Sequence, residues 1–243
     1  MSDGVMVESG QPMSQGMRVV NTFVAPSKTF MDILKSANCW LPILLTLIVG
    51  VGFSYAVDKK VGFEAVTETR VAQSEMAQER WQQATPDQRA MQVKVTRIIS
   101  YAFIVPILIF MLIHVLLLWA TFNFVLGAQT TFPQVFAVAM FAGLPKMFIY
   151  LLSAGLLFAG VGLDNFDMNN PAGTNVGYFL SGSSPAVKVA GSFFDIFGIW
   201  SLILLAIGMS IISKKKLGSA AMVVIAWELV GMLLAVGMTA LFS

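Results

Sequence analysis

Four ionisable side chains fall inside long apolar stretches of this 243-residue chain: Glu228, Asp195, His114 and Lys146. A charged group at the centre of a bilayer costs ~2.5–3.5 kcal/mol on insertion scales, so each such residue needs a reason. Spread over several apolar helices, they could form a polar pathway, or a binding site for an ion, a proton or a lipid headgroup. They could equally be hydrogen-bonding residues that hold helices together, and protonation of Glu228 would remove most of its cost. At ~1.5 Å per residue, Glu228 lies near the middle of the last apolar stretch and His114 deep in the second. Asp195 lies roughly 15 Å along the fourth stretch, counted from a Ser184-Pro185 start. It differs in height from Glu228 by roughly 8–10 Å, too far for a direct carboxylate pair. Lys146 follows a proline and is expected to reach the headgroups.

Enzyme chemistry finds little to work with. A zinc protease needs two His a turn apart with a Glu between them, and this chain has one His. Phe179-Leu180-Ser181-Gly182 does not supply the Gly-x-Ser-Gly of an intramembrane serine protease. Gly160-Val161-Gly162-Leu163-Asp164 is one residue out of register for the Gly-x-Gly-Asp of intramembrane aspartyl proteases. That offset turns the carboxylate by ~100° around a helix, and no partner Tyr-Asp exists. The run Asp164-Asn165-Phe166-Asp167-Met168-Asn169-Asn170 lacks the Gly and distal Glu of a calcium loop and suits backbone-bonding turns. A single cysteine, Cys39, excludes an internal disulfide framework or cysteine metal cluster. No catalytic residue, metal or cofactor is therefore expected.

The elements that must position the four residues follow from composition. Hydrophobic residues make up 57% and charged residues 12% of the chain, the latter about half the share of a soluble domain. The apolar residues are bunched into runs long enough to cross a bilayer. The fold class is all-α: a polytopic membrane helical bundle of about five spans, residues 39–57, 98–126, 146–163, 185–213 and 217–242, plus short interfacial helices. Residues 1–20, rich in Ser, Gly and Gln, are expected to be a disordered tail, and residues 21–243 one membrane domain. The first ~35 residues lack the apolar core of a cleavable signal peptide, so the first span should stay as an anchor. Between them, Pro26, a Ser27 cap and Phe30, Ile33, Leu34 and Ala37 at helical spacing predict an amphipathic helix lying in the interface. Small residues four apart, Gly155/Ala159 and Gly231/Ala235, would let neighbouring backbones approach.

Residues 58–97 are different material, with seven basic and six acidic residues. They predict two solvated helices, the second opened by the capping box Thr85-Pro86-Asp87-Gln88 and running on into the second span. Met76 and Trp81 are candidate partner contacts, since aromatic residues are enriched at contact sites. Further on, Gly143 and Pro145 mark a helix break. Residues 132–142 would then be a separate interfacial or half-buried helix; one kinked helix is the alternative. Arg18, Lys28, Lys35, Lys146 and the acid-free run Lys214, Lys215 and Lys216 place the N-terminus in the cytoplasm. The basic residues of 58–97 count against that orientation.

Three features together carry a family likeness. They are Phe23-Val24-Ala25-Pro26-Ser27-Lys28-Thr29-Phe30 ahead of Trp40, the five-span layout with a long polar segment after span one, and Met140-Phe141-Ala142-Gly143-Leu144-Pro145. The last looks like a Gly-Tyr-Ser-Leu-Leu-Pro stretch before a third span. In these the chain resembles the Yip family of membrane proteins, in its bacterial branch, over residues 22–242. The resemblance implies a helical domain with a cytosolic N-terminus and, in eukaryotes, contact with prenylated Rab-type GTPases in vesicle traffic. No Asp-Leu-Tyr-Gly-Pro precedes span one here, so small GTPase binding is not carried over. The expected function is a non-enzymatic membrane scaffold or accessory subunit. Its partners would be membrane lipid and other membrane proteins, and no nucleic acid. The alternative is a small transporter or channel using the intramembrane carboxylates; the internal repeat usual in transporters is not seen.

Overall fold

The computed structural model describes residues 11–242 except residues 73, 164, 165, 169 and 181. It is 78% helical, with no strand among the described residues. Five helices are long and apolar enough to cross a bilayer: Trp40–Lys60, Val105–Val125, Phe132–Phe158, Ile196–Ser213 and Leu217–Leu241. The chain is a multi-pass membrane protein.

The N-terminal region departs from expectation. α1 (Gln15–Val24), capped by Ser14, begins inside the stretch expected to be a disordered tail. α2 (Pro26–Ile33) follows after Ala25, which occupies the cap position in place of Ser27. The two form a hairpin within the bundle rather than a helix lying on it. Phe30 and Ile33 are fully buried in the main core. Phe23 sets its ring edge-on to Phe148 and Trp200, with centroids 5.7 and 5.5 Å away. Trp200 is roughly 20 Å along the fourth span from Ser213, so the hairpin tip reaches deep. Met17, Val20, Val24, Met31 and Leu34 are exposed on its outside, while Arg18, Thr22, Thr29 and Asp32 are buried inside. Apolar outside and polar inside is the pattern a lipid solvent favours.

α3 (Trp40–Lys60) is the first span. The polar segment that follows holds three helices, not two: α4 (Phe63–Val71), α5 (Glu75–Gln83) and α6 (Pro86–Tyr101). The capping box of α6 is formed as expected: Gln88 N–H donates to Thr85 Oγ1 at 3.3 Å and Thr85 N–H to Gln88 Oε1 at 2.9 Å. α6 leads through Ala102 and Phe103 into α7 (Ile104–Ala120), which ends in a π turn, Thr121–Val125.

The third span runs as α8 (Phe132–Ala142), a 3₁₀ turn at Leu144–Lys146, and α9 (Met147–Phe158). Gly143 stays right-handed, at φ −75° and ψ −14°, and Lys146 N–H reaches Gly143 O at 3.1 Å. Pro145 thus tightens the helix without ending it, which is the kinked-helix alternative. α8 is not interfacial: Val135, Ala137, Val138 and Phe141 are fully exposure-free. A helix apolar on every face belongs in the interior, and α8 packs there with Val115, Leu118 and Phe122 of the second span and Leu204, Met209 and Ile212 of the fourth.

Ser184 caps α10 (Pro185–Ser192) as expected, but the helix stops and restarts as α11 (Ile196–Ser213). α12 (Leu217–Phe242) is the last span. The close backbone approaches fall at other glycines than those the four-residue spacing suggested. Gly155 and Gly231 face open space, whereas a Cβ at Gly208 would meet Val138 at 2.5 Å and Phe30 at 3.0 Å. That glycine lets α11 close on both α8 and the hairpin.

Candidate functional site

Three of the four ionisable residues share a depth. Lys146 ends the 3₁₀ turn roughly 21 Å from Phe132, near the middle of the helix Phe132–Phe158. His114 lies roughly 15 Å into α7 and Glu228 roughly 16 Å into α12. The His114 Nε2 atom is buried and has no hydrogen-bond partner. Glu228 and His114 are half-buried and Lys146 is exposed. The helices are joined at the residue next to Glu228, where Trp227 Nε1–H donates to Thr121 Oγ1 at 3.0 Å. The arrangement offers a cation, a carboxylate and a free imidazole nitrogen at one level, which is chemistry suited to holding a proton or a small polar group.

Asp195 stands apart and is not inside a helix. It is the N-cap of α11: its Oδ1 accepts from Phe197 N–H and Gly198 N–H, both at 2.9 Å. Its Oδ2 accepts from the Thr174 hydroxyl. Ile196 N–H donates to Thr174 O and Val176 N–H to Phe194 O, both at 3.3 Å. The amides of Asn170 and Asn175 pair at 2.8 and 3.1 Å. Asp195 therefore pins the loop before α10 to the start of α11, where the helix dipole also favours its charge. Of the Asp/Asn run before this loop, residues 164, 165 and 169 lie outside the described residues.

Outside the spans, two clefts flank Trp81. One of about 460 Å³ is lined by Glu64, Glu68, Trp81, Pro86, Arg89, Ala90 and Val93. One of about 280 Å³ is lined by Glu68, Val71, Ala72, Gln78, Trp81 and Gln82. Arg89 holds Trp81 in place: its guanidinium lies 5.4 Å from the ring centroid. It also donates to Trp81 O at 3.0 Å and Gln82 O at 3.3 Å. Met76 is exposed on α5 and lines neither cleft. At the membrane end of this segment, Asp58 accepts from Arg97 at 2.8 Å and from the Tyr101 hydroxyl at 3.3 Å.

A family model described as the Yip1 domain matches residues 20–238. This chain belongs to the Yip1 family. No curated protein and no solved structure matches it. The Yip1 match runs from within α1 to within α12, and so takes in the clefts, the mid-span residues and all five spans.

A buried and heavily bonded group in this Yip1 domain lies outside the residues that the sequence marks as a site. Arg18, fully buried, donates from Nε to Asp32 Oδ2 at 2.7 Å, from Nη1 to Asn38 O at 2.8 Å and from Nη2 to Asp32 O at 3.3 Å. Met13 N–H adds a 2.9 Å bond to Asp32 Oδ2. The Thr22 and Thr29 hydroxyls both donate to Arg18 O at 2.8 Å. The available signal was spacing: Arg18 and Thr22 are four apart and Thr29 and Asp32 three apart, so each pair makes a polar stripe on one helix. Next to this network, burial pushes the Cys39 thiol up against the opposing pull of Arg18, which keeps it protonated and unreactive at neutral pH.

Proposed function

We propose that this Yip1 domain is a non-enzymatic membrane scaffold or accessory subunit that works through other membrane proteins and lipid. Its setting is the cytoplasmic membrane of a bacterium, with the N-terminus in the cytoplasm. The observation that supports this most is the pair of clefts around Trp81, which open outside the spans, where a partner protein can reach them. A photo-crosslinking residue at Gln82, in native membranes, is expected to give discrete adducts with one or a few proteins. The same residue at lipid-facing Leu233 should give none of them. Identical adduct patterns from the two positions would remove the support.

Orientation rests on the basic run Lys214, Lys215 and Lys216 between the fourth and fifth spans. In a Cys39→Ser background, Gln83→Cys is expected to label with an impermeant maleimide in intact spheroplasts, and Gln11→Cys only after permeabilisation. The reverse pattern would invert the domain. A second reading, a small transporter or channel, draws on the buried, unpartnered Nε2 of His114 in the middle of the second span.

A further inference from the structure

The groove formed by the two clefts has an apolar floor and an acidic rim. Val71, Ala72, Pro86, Ala90 and Val93 join the Trp81 ring along it. Glu64 and Glu68, one turn apart on α4, line the larger cleft, and Glu68 lines both. Both glutamates are exposed, and neither takes part in an ion pair among the described residues. Arg89 is the one cation in the linings; its Nε and Nη2 donate to the carbonyls of Trp81 and Gln82, and its guanidinium carbon lies 5.4 Å from the indole centroid. The two carboxylates are left facing outward over an apolar trough.

We propose that this groove takes a basic segment of a partner protein, with the stem of a Lys or Arg side chain along the Trp81 and Val93 surface and its charge between Glu64 and Glu68. This rests on the interaction reading above and names the partner's chemistry. Long cationic side chains suit such a trough, because they bury an apolar stem while keeping a solvated charge. A lipid headgroup fits less well. Arg89 is roughly 18 Å along α6 from Tyr101 at the membrane end, and the acidic rim repels anionic lipid.

The test uses the full chain in detergent and a fluorescent Lys/Arg peptide with Ala and Gly between the charges, so that it does not enter micelles. Anisotropy should show binding that weakens with salt, and that drops by roughly tenfold in Glu64→Gln/Glu68→Gln. Trp81→Ala should weaken it as well. Glu75→Gln/Glu79→Gln, which removes the same charge from outside both clefts, should leave it unchanged. Equal loss in both double variants, no binding at all, or binding of anionic vesicles in place of the peptide would overturn the assignment. If Gln82 adducts persist in Glu64→Gln/Glu68→Gln membranes, the scaffold reading stands and the basic partner falls.

Discussion

Arg18→Met is expected to cost about 3–5 kcal/mol, because it strands a buried carboxylate without its cation. In the native hairpin Asp32 is 4% exposed and takes its charge-assisted bonds from Arg18. Without the guanidinium, among the described residues only the Met13 N–H still reaches the Asp32 carboxylate, and Asn38 O loses a donor. Removing both charges is a different experiment. Arg18→Met/Asp32→Leu should recover most of the loss, since an apolar replacement of a whole buried pair is often neutral. Denaturant unfolding in detergent measures both. A single variant within about 1 kcal/mol of the parent would mean that the pair is solvated, as surface pairs are, and that the hairpin does not sit inside the bundle.

The second large effect falls at Gly191. A Cβ there would lie 2.6 Å from Gly177 N and 2.7 Å from Gly177 Cα, and one at Gly177 would lie 2.4 Å from Lys188 O. These are backbone atoms, with no rotamer to move them aside. Gly191→Val should push the Val176–Phe179 turn off α10 and loosen the Thr174–Asp195 contact that caps α11. The cost should reach about 3 kcal/mol, the upper part of the usual overpacking range. Gly155→Val, which meets open space, should stay close to the parent in the same melt. Equal losses from both would show that the effect is helix propensity in lipid and not this contact.

What was legible in the sequence was whatever depended on length and local chemistry. Long apolar runs gave the five spans, Thr85 with Gln88 gave the start of α6, and the pieces in order gave the Yip family. The hairpin was obscured because its polar groups point inward and its apolar ones outward, so rules tuned to water placed it at the surface. Asp195 was placed inside a helix because Phe193, Phe194, Ile196 and Phe197 make the break look like one apolar run. Its role as a cap is visible only once Thr174 arrives from a distant loop. Pro145 reads in sequence as the start of a span, whereas in the structure it lies near the midpoint of the helix Phe132–Phe158. That Lys146, Glu228 and His114 each fall near the middle of a helix depends on where three separate helices start, and no spacing within one of them encodes it.

Proton movement in reconstituted vesicles tests the central claim, that this domain works by contact and not by transport, most directly. Glu228 lies near the middle of α12, and glutamine keeps its shape while being unable to exchange protons. With a pH dye inside the vesicles and a gradient across them, no flux above empty vesicles is expected from wild type or Glu228→Gln. Glu228→Leu should give no flux either. A wild-type flux that Glu228→Gln abolishes, in protein of normal stability, would contradict the scaffold reading and make the domain a transporter.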